Sequence, residues 1–388
     1  MPRFVVALLA VLALVGPGPA QTTKSGDKPD AKVDPSDELF KPGPVPVFKI
    51  TLDAETLKQL KQAPRTYVRC FVQVGDEKFK DVGIHVKGAA GSTRDWEDKP
   101  ALTLNFDKFK DGQKFKGLDK IHLNNSVQDG STMHEILYSE MALAMGVPTA
   151  RAGHAVVELN GRKVGLYVLK EGYNSGFIKR HFPTATGGNL YDGGFLQDID
   201  AELKLDSGKE ADKRADLKAL VKACQEKDKN TRYEAVSKLV DVDKFVTDAA
   251  LQIITCDWDG YMRQRNNYRV YFPPNGGKAV FIPHGKDQLW QNTGEGLWHG
   301  WGGMVARAIL DHPDGKKAVI AKLKEIQEKQ FVLDKLNKRI DAWGKPAIEA
   351  QAAVNKDWAK NLLNEMVGLK DRLKQRAAYL KKELPKLK

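Results

Sequence analysis

Cysteine is scarce in this sequence of 388 residues, and several familiar enzyme motifs are missing from it. Its three cysteines exclude a small disulfide-stapled fold and a cysteine-rich zinc module. Because their number is odd, we expect buried, unreactive thiols rather than a disulfide framework. The sequence contains no G-x-G-x-x-G loop, Walker A loop, H-E-x-x-H or G-x-S-x-G. The enzyme classes that these motifs define are therefore excluded.

Long hydrophobic runs are also lacking after the first twenty residues. Arg3 precedes an apolar run over residues 4–15, and small or helix-breaking residues follow at 16–20. The run is shorter than the roughly 20 apolar residues that span a bilayer. It predicts a signal peptide over residues 1–20, with an uncleaved anchor as the alternative. We expect a secreted, periplasmic or cell-surface protein without an integral membrane segment after cleavage.

The charge is positive but not concentrated. The chain has 62 Lys and Arg against 50 Asp and Glu, for a net charge of +12, and 29% of its residues are charged. A basic surface favours anionic partners. The lysines are dispersed and no DNA- or RNA-binding motif accompanies them, so no nucleic-acid partner is expected. No pattern indicates an oligomeric state.

The distribution of hydrophobic residues divides the chain into a linker and two lobes. Residues 21–47 are polar and rich in proline, which indicates a disordered linker. Alternating β-branched residues predict strands at 67–74, 82–86 and 102–106. Helical patterns dominate after residue 211. We predict an α+β fold with a mostly β N-lobe over 48–172, containing one prominent helix, and a mostly α C-lobe over 173–388.

Four local patterns are specific enough to place elements. Thr132 and Glu135 have capping-box spacing ahead of a helix that Gly146 and Pro148 end. Asn160 and Gly161 predict a type I′ hairpin turn. Residues 243–255 form a strongly apolar helix, and a second hairpin joins strands at 268–272 and 279–282.

The stretch from Cys256 to Tyr268 carries the polar residues most suggestive of chemistry. Asp257 and Asp259 follow the buried helix, and Asn266 and Asn267 precede the second hairpin. That hairpin leads to Asp287. Phosphoryl transfer needs a carboxylate beside the acceptor hydroxyl, and an amide with a second carboxylate to hold Mg²⁺. The alternative is that these short polar side chains cap the helix end and the turn.

Three motifs together resemble one protein family. They are V-G-I-H-V-K-G at 82–88, N-G-R-K-V-G-L-Y at 160–167, and N-N-Y-R-V-Y at 266–271. The chain is similar, from about residue 82 to 290, to the CotH (spore-coat protein H) kinase family of secreted or surface-associated atypical protein kinases. The resemblance implies a bilobal, kinase-like fold that binds ATP and Mg²⁺ (or Mn²⁺) between its lobes. It also implies phosphorylation of Ser or Thr in secreted or coat proteins.

The resemblance assigns roles to three residues of the polar stretch. Asp259 matches the catalytic base, Asn267 the metal-holding amide, and Asp287 the metal carboxylate. The family form Pro-Trp-Asp-x-Asp appears here as P-H-G-K-D at 283–287, so that Gly285 replaces the first Asp. Lys286 beside it either offsets phosphate charge or marks a catalytically weak variant.

Two other functions stay open at this point. A pseudokinase or binding module that holds an anionic cell-surface partner is favoured by Gly285 and by the basic charge. A metal-dependent hydrolase would use Asp257, Asp259, His284 and Asp287, although no ligand motif supports it.

The residues that anchor the nucleotide are expected in the N-lobe. Lys87 ends a strand beside the loop 88–91, where backbone N–H groups and Ser92 can surround phosphates; Arg94 and Lys99 are its rivals. A helix glutamate pairs with such a lysine in kinases, and Glu140 is chosen because the capping box occupies Glu135. Glu171 lies where a kinase hinge would contact adenine.

Overall fold

A closed barrel of seven strands forms the first part of the fold. The computed structural model describes Met1 and residues 34–89, 91–209 and 214–387, so the predicted signal peptide and most of the linker lie outside the described residues. The strands are β1 (Val47–Thr51), β2 (Val68–Val74), β3 (Glu77–Lys87), β4 (Ala101–Asn105), β5 (Lys120–Asn124), β6 (Ala152–Leu159) and β7 (Arg162–Glu171). Their order is β1-β2-β3-β4-β5-β7-β6, and parallel pairing of β1 with β6 closes the barrel.

The barrel interior is filled by side chains that alternate along the strands. In β1, Phe48 and Ile50 are buried while Val47, Lys49 and Thr51 are exposed. This is the period of two that a strand with one buried face requires. Aromatic rings pack edge-on inside, with the Phe48 and Phe115 centroids 5.3 Å apart. Helix α1 (Ala54–Gln62) follows β1.

Helix α2 (His134–Ala144) is the prominent helix of this part, but the predicted capping box at its start is wrong. Thr132 has a left-handed φ of 56°, and its hydroxyl bonds to the His154 ring. Asp129 satisfies the first turn instead, because its Oδ2 accepts the His134 N–H at 2.9 Å. The Glu135 carboxylate is therefore available for another partner.

A four-stranded sheet and a set of helices follow the barrel. The sheet order is β11-β10-β8-β9, and helix α6 packs against α9 in the helical core. The elements are α3 (Ser175–His181), β8 (Asn189–Asp192), β9 (Lys204–Ser207), α4 (Ala215–Cys224), α5 (Lys229–Leu239), α6 (Val242–Ile254), α7 (Tyr261–Gln264), β10 (Tyr268–Phe272), β11 (Val280–Pro283), α8 (Met304–Leu310), α9 (Pro313–Lys329), α10 (Leu333–Ala352) and α11 (Lys356–Glu383).

The α+β class predicted from the sequence is confirmed. Asn160 and Gly161 both have positive φ, 47° and 80°, as the type I′ turn requires. The buried helix is α6, and the second hairpin is β10–β11. All three cysteines are free thiols, two of them buried. Among the residues that the structure describes, no helix is long and apolar enough to cross a bilayer.

Substitution of the barrel interior tests how much the fold depends on its packing. Leu104 in β4 is fully buried, so Leu104→Ala leaves a cavity and is expected to lower the free energy of unfolding by about 2–5 kcal/mol. The matched change Lys49→Ala on the exposed side of β1 is expected to cost less than about 0.5 kcal/mol. Urea unfolding followed by circular dichroism measures both; equal effects would contradict the packing argument.

Candidate active site

One cavity of about 670 Å³ is lined by residues of both the barrel and the four-stranded sheet. Lys87 and Lys170 come from barrel strands β3 and β7. Asp259, Asn267 and Asp287 come from the segments around α7 and the β10–β11 hairpin. The three polar residues that the sequence separates by up to 28 positions therefore share one cavity with two lysines.

The register of the β10–β11 hairpin brings Asn267 next to the segment that ends in Asp287. Tyr268 pairs with Pro283, and the His284 N–H donates to the Asn267 carbonyl at 2.9 Å. Asn267 itself has a left-handed φ of 55°, which asparagine tolerates better than most residues. Antiparallel pairing thus makes residues 267 and 284 neighbours although 17 positions separate them.

Asp259 is held by both asparagines. The Asn267 Nδ2 donates to its Oδ2 at 2.9 Å, and the Asn266 Nδ2 donates to its Oδ1 at 3.1 Å. Partial burial raises the pKa of Asp259, and the neighbouring Asp257 acts in the same direction. The carboxylate is thus fixed in orientation at the wall of the cavity.

Asp287 also lines the cavity and is placed by helix α2. Its carbonyl accepts the His134 Nδ1–H at 2.9 Å, which ties the segment to the first residue of that helix. Burial raises the pKa of its carboxyl to about 6, and the Glu135 carboxylate contributes in the same direction. A cation bound at Asp287 would offset the free-energy cost of burying its negative charge.

Gly285 lies close to the Asn267 side chain, so that position 285 has no space for a side chain while Asn267 stays in place. The φ of Gly285 is 63°, and a Cβ built on it would lie 2.3 Å from the Asn267 Oδ1. No real Cβ makes so close a contact, so an aspartate here would displace Asn267. The Asn267 side chain can occupy its observed position only because residue 285 is a glycine and not the aspartate of the family motif.

Lys286 does not line the cavity. Its ammonium is buried and bonds to the equally buried Asp257 carboxylate. The expectation that Lys286 faces bound phosphate is not what the structure shows, because the ion pair holds the ammonium inside the protein.

A buried ion pair joins helix α2 to the barrel wall of the cavity. The Lys170 Nζ lies 2.7 Å from both carboxylate oxygens of Glu135, and both side chains are about 6% exposed. Burial alone would lower the pKa of Lys170, but the Glu135 carboxylate outweighs it and the pKa is raised. Lys170 is therefore a protonated lysine at the cavity.

The glutamate chosen from the sequence is not the one that makes this pair. Glu140 accepts a hydrogen bond from the Trp343 indole at 2.9 Å and pairs with Arg339 at 3.2 Å, outside the cavity. Glu140 was chosen because the apparent capping box was expected to engage the Glu135 side chain at the start of the helix. The period of the helix could not settle the choice, because most of α2 is buried on all sides.

Lys87 and Ser92 lie where the sequence placed them, whereas Arg94 does not. The Lys87 ammonium donates to the Asn124 Oδ1 in the cavity wall, and burial lowers its pKa to about 7. The Ser92 Oγ accepts the Ala89 N–H at 3.1 Å and so closes the loop. Arg94 bonds to carbonyls of its own loop and to Asp98, and it does not line the cavity.

Glu171 is likewise outside the cavity. Its buried carboxylate accepts the Arg151 Nε–H at 3.2 Å and pairs with Arg180. Its N–H donates to the Arg151 carbonyl, and the Gly172 N–H donates to the Lys120 carbonyl. The side chain of Glu171 therefore joins the end of β7 to Arg151 and to Arg180 of α3, away from the cavity.

The remaining walls of the cavity are polar and partly cationic. Arg269 is held by Asp192 at 2.6 Å and Asp206 at 3.1 Å. Burial, followed by the field of nearby cations, lowers the pKa of His122 and of His284 well below the usual range. Both imidazoles are therefore neutral near pH 7, and the positive groups that line the cavity are lysines and arginines.

A metal ion in this cavity would need ligands from a bound nucleotide in addition to those from the protein. Within the described part of the chain, no group of three or more His, Cys, Asp or Glu side chains is arranged to hold a metal ion. Mg²⁺ bound with a nucleotide needs only one or two carboxylates, because phosphates and water complete its shell. Asp287 and the Asn267 amide line the cavity and are oxygen donors of this kind. Asp257, one of the four residues of the hydrolase hypothesis, is paired with Lys286 and does not line the cavity.

The sequence of this chain matches one protein family over most of its length. The family described as CotH kinase protein matches residues 84–383. The chain belongs to the CotH kinase family. Its membership confirms the family resemblance that the motifs indicated.

Curated relatives include the inner spore coat protein H of Bacillus subtilis, at 24% identity over 77% of this chain and 85% of that protein. Invasin CotH7 of Rhizopus delemar is 22% identical over 63% of this chain. The chain spans only 43% of that invasin and 30% of invasin CotH3.

Solved structures similar to this CotH family member share little sequence with it. The Helicobacter pylori proinflammatory kinase CtkA gives a TM-score of 0.32 at 8% identity, covering 77% of this chain and 97% of that one. The HipA, HipB and operator DNA complex of Shewanella oneidensis MR-1 gives 0.35 at 12% identity, covering 88% and 74%. Scores this low do not establish a shared fold.

The two glutamates of α2 give a direct test of the ion pair. Glu135→Gln leaves the Lys170 ammonium buried without an anion and is expected to lower the free energy of unfolding by about 3–5 kcal/mol. Glu140→Gln removes a partly exposed pair and is expected to cost about 1 kcal/mol or less. Urea unfolding of both variants measures the difference; a larger loss for Glu140→Gln would contradict the assignment.

Proposed function

We propose that this CotH family member is an ATP-dependent protein kinase that transfers the γ-phosphate to Ser or Thr side chains. The observation that carries the proposal is the convergence of Asp259, Asn267 and Asp287 with Lys87 and Lys170 in one cavity. A carboxylate, a metal-holding pair and phosphate-binding cations are the parts that phosphoryl transfer requires.

The properties of the cavity support MgATP as its ligand. Its volume, about 670 Å³, lies within the range of small-molecule sites. Among the described residues Lys87 has no carboxylate within ion-pair distance, so an anionic group would stabilise its ammonium. Lys170 would act as the phosphate-binding lysine that a helix glutamate, here Glu135, orients in kinases. The sequence had suggested Lys87 and Glu140 for these two roles.

The acceptor hydroxyl would meet Asp259. The two asparagine amides hold its carboxylate in one orientation, so that the free lone pairs can accept the hydroxyl proton. Asp287 and Asn267 would hold the metal, whose charge lowers the barrier to transfer when MgATP is bound. Lys87 and Lys170 would orient the phosphates by hydrogen bonding.

The proposed setting is the cell surface or a coat outside the cytoplasm. One relative is named a spore coat protein and two are named invasins. The signal peptide predicted over residues 1–20 supports the same setting. Acceptors would then be secreted or surface proteins.

Gly285 favours a second candidate, a pseudokinase that binds a nucleotide or an anionic surface component without transfer. The turn at 283–287 supplies one carboxylate to the cavity, Asp287, and leaves no room for another beside Asn267. Weaker metal binding would follow from the smaller negative charge. A pseudokinase that binds a nucleotide would differ from the kinase only in transfer, and one that binds a surface component would also lack nucleotide binding.

Asp259→Asn tests the kinase. Removal of a general base is expected to lower kcat by about 10²–10⁴-fold. The variant should still be stabilised by ATP with Mg²⁺, because the lysines are unchanged. Transfer of labelled phosphate to protein acceptors measures the first effect, and thermal unfolding with nucleotide measures the second.

Asn230→Ala is the control, since this side chain contacts His312 far along the chain and does not line the cavity. It should leave transfer and ATP stabilisation unchanged. Absence of transfer by the parent with Mg²⁺ and with Mn²⁺, despite stabilisation by ATP, would reject the kinase and favour the pseudokinase.

The lowered pKa of Lys87 predicts how ATP affinity depends on pH. The free protein holds Lys87 at a pKa of about 7, and a bound phosphate would raise that value. Below pH 7 the lysine is already charged and binding is strongest. Above pH 7 binding must take up a proton, so affinity should fall by up to tenfold per pH unit until the bound pKa is reached.

Titration calorimetry with MgATP between pH 6.5 and 9 measures this slope. Lys87→Met is the matched variant, because it removes the titrating group and keeps the apolar stem. It should bind more weakly at pH 6.5 and show a flat profile above pH 7. An unchanged slope in Lys87→Met would show that another group titrates.

A further inference from the structure

A buried ion pair joins the two segments that carry the cavity carboxylates Asp259 and Asp287. Lys286 is 1% exposed and Asp257 is 3% exposed. Lys286 precedes Asp287 in the chain, and Asp257 lies two residues before Asp259. The pair thus connects the two segments whose separation determines the geometry of the proposed reaction.

Each end of the pair is fixed to a neighbouring element. The Asp257 N–H donates to the Gln252 carbonyl of α6 at 2.8 Å, and the Asp257 Oδ1 accepts the Asp259 N–H at 3.3 Å. The Lys286 ammonium lies 5.1 Å from the centre of the Tyr138 ring on α2. Displacement of either partner would therefore move the backbone that carries a cavity carboxylate.

Stability alone does not explain such a pair. Removing two charges from water is costly, and apolar side chains of similar volume are often as stable. A buried ion pair does, however, impose one relative position on its partners, since an unpaired charge in the interior is strongly unfavourable. The pair is better suited to fixing a distance than to adding stability.

We infer that Asp257 and Lys286 are positioning residues that tether the Asp259 loop to the Asp287 segment and so set the spacing of the two carboxylates. The inference rests on the proposed function for its catalytic consequence, but the spacing is a property of the protein by itself. The tether differs from the interpretation of Lys286 as a phosphate-binding group, because its ammonium never meets the ligand.

The double variant Asp257→Leu/Lys286→Met replaces both charges of the pair with apolar side chains, while the nearby buried Asp248 keeps its hydrogen bonds from Tyr138 and Gln252. We expect it to fold and to lower kcat for phosphoryl transfer at least tenfold, while KM for ATP stays within twofold because Lys87 and Lys170 are untouched. A crystal structure should show the distance from the Asp259 Cγ to the Asp287 Cγ changed by more than about 1 Å, the misplacement that costs an active site much of its rate.

Tyr191→Phe is the matched control. It removes a partly buried hydrogen bond to Asp216 at 2.9 Å, and neither residue belongs to the ion pair or lines the cavity, so kcat should stay within twofold. If the double variant does not fold, Asp257→Asn/Lys286→Met serves in its place, since it keeps the acceptor for the Asp259 N–H and removes both charges of the pair. The same loss of kcat and change of spacing are expected.

The outcomes separate the tether from the proposed function. An unchanged carboxylate spacing, or an unchanged kcat in an active parent, overturns the tether. A parent without any transfer overturns the kinase, and the crystallographic spacing then decides the tether alone.

Discussion

The pairing of β10 with β11 is the interaction on which the candidate site depends. With Tyr268 opposite Pro283, the chain leaves the hairpin with Asn267 beside His284 and with Asp287 three residues further on. A shift of register by one residue would turn every side chain of the strand to the other face. The cavity would then lose its amide and its carboxylate together, whatever the packing elsewhere.

Helix α2 connects this hairpin to the barrel through two buried contacts. His134 bonds to the Asp287 carbonyl, and Glu135 pairs with Lys170. Both contacts come from the first two residues of the helix, so the position of its N-terminus determines where the lysine and the carboxylate stand relative to each other. Asp129, which caps that end, supports the site without lining the cavity.

The charged groups of the site fall into two sets, those paired inside the protein and those without an ion-pair partner. Four ionisable groups at or beneath the cavity are paired inside the protein, Glu135 with Lys170 and Asp257 with Lys286. Lys87 and Asp287 lack such a partner among the described residues, and burial shifts the pKa of each towards its uncharged form. Unpaired charges at a cavity are the ones that a charged ligand can stabilise.

The sequence by itself determined the family, the α+β class, the two hairpins and the cavity residues Lys87, Ser92, Asp259, Asn267 and Asp287, because turn chemistry and short motifs are local. It did not determine which glutamate of α2 pairs with a lysine of the cavity. Glu135 and Glu140 lie on the same helix, and no local pattern distinguishes them. Only the packing of α2 brings Glu135 to Lys170 and Glu140 to Trp343. The side chains of Arg94, Glu171 and Lys286 lie outside the cavity for the same reason: charged side chains near a site bind whichever opposite charge or carbonyl the tertiary fold brings within reach.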